Sequence, residues 1–137
     1  MKIYLDFDGT VVEHQYPVIG QCNYGCFEII DKLNTAGHEI ILNTMRVEFD
    51  KKLLTEAIEF INLSMASLNI NQINSFTNTD HKYEPTKWDW DLHFFTGRIF
   101  IDDVCEAIPL KNGVSSSRQM VDWEQLDVEF KENGLYK

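Results

Sequence analysis

Residues 2–10, KIYLDFDGT, set Ile3, Leu5 and Phe7 against Tyr4, Asp6 and Asp8 and then reach Gly9. Alternation with period two followed by glycine is the pattern of a β-strand that ends in a turn. Two carboxylates therefore leave one side of a strand end. After an irregular stretch holding Pro17, Gly20 and Gly25, the residues Phe27, Ile30 and Leu33 recur at helical spacing until Gly37 supplies a helix stop. The compact apolar run EIILNT at 39–44 then reads as a buried strand. Strand, helix and strand make a βαβ unit, which implies parallel pairing with a right-handed crossover.

Further along, Phe49, Leu53, Leu54, Ala57, Ile58, Ile61, Met65 and Leu68 fall at helical steps, and the spacing predicts one long amphipathic helix over 47–68. A weaker strand is expected near 73–77. A short aromatic helical piece follows Thr86 and runs through Trp88 and Trp90 to Phe94, closed by Gly97. RIFID at 98–102 reads as another buried strand with an acidic end, Asp102-Asp103. A polar loop is expected over 111–117 and a last helix over 123–132, capped by Asp122. The alternation of strands and helices predicts a single α/β domain over 1–137, three-layered and Rossmann-like around a central parallel sheet.

The 137 residues carry 12 Lys plus Arg against 22 Asp plus Glu, a net charge of −10. Such a surface repels nucleic acid and anionic lipid instead of gathering them. No apolar run approaches the roughly 18 residues of a membrane span, and the two early aspartates do not suit a secretory leader, so a cytoplasmic protein with no membrane partner is expected. Cys22, Cys26 and Cys105 are then expected as reduced thiols. The Cys22-x3-Cys26 pair lacks the second His/Cys pair that a zinc site needs.

In a parallel sheet, ligands bind outside the carboxyl ends of the strands. The polar residues ending these strands are Asp6 and Asp8, Thr44, and Asp102 and Asp103. Carboxylates gathered at one sheet edge repel one another unless a cation sits among them. All-oxygen ligands select a hard metal, Mg²⁺ before Ca²⁺, because few ligands leave water to complete an octahedron. Magnesium commonly works with phosphate. One carboxylate can attack phosphorus, a second held two residues on can move the proton, and Gly9 permits the tight turn.

DFDGT at 6–10, Thr44 in ILNT and IDD at 101–103, in this order, resemble the motifs of the haloacid dehalogenase-like (HAD) superfamily. The resemblance spans nearly the whole chain. It implies that Asp6 is a nucleophile forming an aspartyl-phosphate and Asp8 the general acid and base. Thr44 becomes a phosphate ligand, and Asp102, assisted by Asp103, holds Mg²⁺ together with Asp6 and the carbonyl of Asp8. The superfamily's lysine has two candidates, Lys82 in DHKYEP and Lys87 in PTKWDW, neither followed directly by Pro. Lys87 is preferred because it would open the short helix leading into the last strand. Too few residues separate the motifs for an inserted cap domain. A capless member has an open site, which implies a macromolecular or extended substrate, or capping by a neighbouring subunit in a homo-oligomer.

Residues 11–25 are then the nearby flap, with His14, Gln15, Tyr16 and Asn23 as leaving-group contacts, and Arg46 as a partner for a second anionic group. Trp88, Trp90, Phe94 and Phe95 read as packing over the sheet. The expected function is a Mg²⁺-dependent phosphatase. A phosphotransferase, or a phosphate- and metal-binding protein with little turnover, is the alternative. A receiver-like phospho-acceptor would need an aspartate where Thr44 stands. The acidic surface favours a small phosphorylated substrate over a phosphorylated macromolecule.

Overall fold

The computed structural model describes residues 1–70 and 87–137. Lys2–Leu5 forms β1, Glu39–Leu42 β2 and Arg98–Ile101 β3, and the three pair in parallel in the order β2-β1-β3. The register is regular: Ile3 faces Ile40 and Ile99, and Leu5 faces Leu42 and Ile101. Ile3, Leu5, Leu42, Ile99 and Ile101 are fully buried, each contributing about 1.5–3 kcal/mol relative to exposure. Two further hydrogen bonds carry the pairing one residue on, from Asp6 N to Ile101 O at 3.0 Å and from Asn43 N to Leu5 O at 2.7 Å. Asp6, Asn43 and Asp102 thus stand in one row across the carboxyl edge.

The first helix, α1 (Cys26–Thr35), ends as the sequence predicts: Gly37 has φ 95° and His38 N donates to Leu33 O. The expected single helix over 47–68 is instead two, α2 (Arg46–Phe49) and α3 (Lys51–Ser67). Asp50 causes the break. Its backbone is extended and its carboxylate accepts from Lys52 N at 2.9 Å, so it caps α3. The apolar spacing runs through Asp50 undisturbed, which is why periodicity alone joins the two. Next, α4 (Trp90–Thr96) starts at Asp89 and stops at Gly97, and α5 (Trp123–Glu132) is capped by Asp122 as expected.

The loop expected over 111–117 belongs to a small antiparallel hairpin, β4 (Leu110–Lys111) and β5 (Met120–Val121). Two-residue strands fall below what alternation can reveal. The strand expected near 73–77 lies outside the described residues, as does Lys82. Trp88 and Trp90 both donate an indole N–H to Glu129 Oε1, at 3.0 and 2.9 Å. Phe94 and Phe95 of the same expected cluster are exposed. Among the described residues, no helix is long and apolar enough to cross a membrane.

Candidate functional site

The aligned strand ends bring Asp6, Asp102 and Asp103 together, with one carboxylate oxygen of each inside a 4.8 Å group. Thr10 donates its hydroxyl to Asp6 Oδ2 at 3.0 Å. Asp102 Oδ1 accepts from Val104 N at 3.1 Å. Burial, and then the neighbouring Asp102 and Asp103, hold the Asp6 carboxyl well above the usual carboxylate range. Asp102 is pushed up to about 7, chiefly by burial, with Asp103 adding to the rise. Among the described residues, Arg118 is paired with Asp103, its Nη2 3.8 Å from Oδ2. Three crowded carboxylates offering hard oxygen donors are a group that could hold a metal ion.

Gly9 makes the crowding feasible. Its φ is 83°, and a Cβ there would sit 2.7 Å from Asp103 Cγ. Only glycine accommodates both the left-handed backbone and the approach of that carboxylate.

Asp8 points elsewhere. Its side chain lies outside the three-carboxylate group and is gripped by Arg46, whose Nε and Nη2 donate to Oδ2 and Oδ1, each at 2.8 Å. Arg46 was expected to meet a second anionic group of a ligand, and the anion it meets is Asp8. It is fully buried, gives further hydrogen bonds to Leu53 O and Val18 O, and lies 5.1 Å from the Phe7 ring and 5.3 Å from the Tyr16 ring. A planar fork suits this bidentate, stacked setting as no lysine would.

A cavity of about 270 Å³ opens over these groups, lined by Asp6, Asp8, Thr44, Arg46, Asp102 and Asp103 together with His14, Tyr16, Phe49 and Arg118 among others. Thr44 is buried at the start of α2, where its Oγ1 accepts from Arg46 N at 3.3 Å. Of the expected flap residues, His14 and Tyr16 reach the cavity. Asn23 does not: it is buried, and its Nδ2 ties Thr10 O to Val121 O at 2.9 and 2.7 Å. Gln15 is exposed and is not part of the lining. Lys87, the preferred phosphate lysine, is also exposed and away from the lining, paired through its backbone with Glu106. No lysine among the described residues lines the cavity.

Besides Met45 and Phe49, sequence reasoning missed Arg118 among the lining residues. It sits just before β5, donates from Nη1 to His14 Nε2 at 2.9 Å, and has Nη2 3.8 Å from Asp103 Oδ2. Its loop is pinned by buried Glu13, which accepts from Val114 N and Ser115 N, while Val121 N bonds Gly9 O. Nothing in the spacing of SSSRQM signals this. The placement depends on the hairpin docking against the first loop.

No family model matches the chain, and no curated protein does. A solved structure of a conserved protein from Bacteroides thetaiotaomicron is similar, with 27% identity over 96% of this chain and 90% of that one and a TM-score of 0.56. The likeness supports an α/β chain with a parallel sheet.

Proposed function

We propose that this chain is a capless, HAD-like Mg²⁺-dependent phosphomonoester hydrolase with a three-layered, Rossmann-like arrangement about its parallel sheet. The observation that carries the reading is one cavity holding Asp6, Asp102 and Asp103 as a group and, two residues after Asp6, a separately oriented Asp8 beside Thr44. Asp6, Asp102 and Asp103 would hold the cation, which neutralises phosphoryl charge and lowers the repulsion facing an anionic nucleophile.

Asp6 attacks phosphorus, a P–O bond forms to its carboxylate, and the bond to the leaving oxygen breaks while Asp8 gives that oxygen a proton. Water then attacks phosphorus and passes its proton to Asp8, releasing phosphate and restoring Asp6. Thr44 donates to a phosphoryl oxygen. Both oxygens of Asp8 accept from Arg46 in the structure, so the arrangement is that of the base ready for the second step. To donate in the first step, Asp8 must free one oxygen. Nη2 would keep its other N–H on the Val18 carbonyl, 3.3 Å away, while it lets go of Asp8.

A small phosphorylated substrate suits the acidic surface. Capping by a second copy remains the route by which an open site would be covered, and a concentration-dependent mass would reveal it. A second reading, phosphate and metal binding without turnover, is favoured by the grip of Arg46 on Asp8 and by the exposed position of Lys87. Phosphate release from a panel of phosphomonoesters, with Mg²⁺ and with excess chelator, beside Asp6→Asn, separates them. Turnover that needs Mg²⁺ and is lost in Asp6→Asn supports hydrolysis. Tight phosphate binding with no release supports the second reading.

A further inference from the structure

The walls of the cavity are unequal. Its floor is acidic, whereas one flank is built from Tyr16 of the first loop and from Met45 and Phe49 at α2. These three large apolar side chains are 37%, 49% and 61% exposed. Tyr16 and Phe49 face each other with centroids 6.1 Å apart and planes 56° from parallel. Scattered exposed apolar residues need no explanation, but these three line one cavity beside its carboxylates, and ligand sites commonly combine apolar walls with a few placed polar groups.

One ring of the flank, Tyr16, is backed from behind. The Arg46 guanidinium backs the Tyr16 ring at 5.3 Å and is itself fixed by Asp8, Leu53 O and Val18 O. A fixed ring loses little freedom when a ligand stacks on it, so more of the contact energy appears as affinity.

Resting on the phosphatase reading above, we propose that Tyr16, Phe49 and Met45 are the leaving-group platform. The preferred substrates are phosphomonoesters with an aromatic ring within a bond or two of the ester oxygen. The size of the cavity decides the distance: about 270 Å³ lies just under the roughly 300 Å³ at which drug-sized sites begin, so it holds a phosphoryl group and one adjacent ring. The same guanidinium backs Tyr16 and orients Asp8, so the seat of the leaving group and the orientation of its proton donor share one residue.

The test compares benzyl phosphate with ethyl phosphate, whose leaving oxygens are chemically alike and which differ in the ring. The wild-type ratio of kcat/KM values should favour benzyl phosphate by about tenfold, in the range of one stacked ring. The ratio should fall toward one in Tyr16→Ala and in Phe49→Ala and persist in Tyr16→Phe. Any general disturbance of Arg46 slows both substrates and cancels in the ratio. A wild-type ratio near one, or a ratio surviving both alanine variants, overturns the platform. Calorimetric binding of benzylphosphonate and ethylphosphonate, with Mg²⁺, reads the same preference without turnover. Preferential benzyl binding with no turnover of any ester keeps the platform and rejects the phosphatase, whereas equal binding rejects the platform.

Discussion

Arg46 and Asp8 form a fork of two 2.8 Å hydrogen bonds across 38 positions of sequence, with the guanidinium fully buried and the carboxylate nearly so. A charge this deep is tolerable only while paired. The pair fixes where the proposed proton-transfer group points.

Arg46→Lys keeps the charge and removes the fork. The expected result is a fall in kcat of about a hundredfold, in the range assigned to one positioned acid-base group, with a much smaller change in KM. Arg46→Ala leaves Asp8 buried without a partner and should cost about 3–5 kcal/mol of stability. Steady-state kinetics of the first variant and denaturant unfolding of the second check both. An unchanged kcat in Arg46→Lys would falsify the positioning role.

The acidic group predicts an unusual dependence of stability on pH. An aspartate in the unfolded chain titrates near 3.8, whereas folded Asp102 is pushed up to about 7 and Asp6 is also raised. Between those values the native protein keeps protons that the unfolded chain has released. Their stabilising contribution is complete below about pH 4 and is lost as pH rises through about 7. In chelator, melting temperature should therefore carry a falling component over this window. Mg²⁺ should raise it more at pH 8 than at pH 5, because metal and proton compete for the same oxygens. Thermal melts across pH, with and without Mg²⁺, provide the check, and an equal Mg²⁺ effect at both pH values would count against carboxylate ligation.

Gly9→Ala should be costly beyond its added methyl group. The backbone at φ 83° disfavours a side chain, and the new Cβ would press on Asp103. A loss of about 1–3 kcal/mol of stability is expected from strain of this kind, together with weaker Mg²⁺ stabilisation as Asp103 is displaced. Thermal shift against Mg²⁺ concentration measures both.

Arg118 is the more exposed of the two arginines at the cavity, and its contact with Asp103 is loose at 3.8 Å. Its Nη1 is bonded to His14 at 2.9 Å, which leaves the loosely held Nη2 to turn toward a phosphoryl oxygen. Arg118→Ala should raise KM about tenfold, as loss of a charge-assisted hydrogen bond does, with a smaller effect on kcat. Glu13→Ala, which unpins the same loop, should shift KM in the same direction. Initial rates over a range of substrate concentration decide this.

The three thiols should differ in reactivity. Cys22 is exposed and held below the usual thiol range by its hydrogen bond with Cys26, 3.9 Å away. Burial pushes Cys26 well up and Cys105 up to about 11. An alkylating reagent at neutral pH should label Cys22 first, and peptide mass mapping of a time course checks the order.

Much of this site is legible in the sequence because its carboxylates sit beside short, strongly patterned strands. Asp6 and Asp102 follow apolar runs whose register follows from parallel pairing, so the motif order alone brings them together. The division of the helix at Asp50 was not legible, since a cap interrupts the backbone without interrupting the apolar spacing. Arg46 was recognisable as a cation near the site, but its partner depends on how the first loop meets α2. Arg118 arrives on strands of two residues, too short for any period to show. The preference for Lys87 rests on its opening the short helix before β3, but that helix starts only at Trp90, and Lys87 is exposed in a backbone pairing with Glu106 that spacing does not encode.

The central claim is that Asp6 takes the phosphoryl group. The direct measurement is acid quenching during turnover with Mg²⁺, followed by borohydride reduction, which converts an aspartyl-phosphate to homoserine, and mass mapping of the N-terminal peptide. Homoserine at position 6, absent without substrate and absent in Asp6→Asn, is the expected result. Turnover with no modification at position 6, and with an undiminished rate in Asp6→Asn, would contradict it.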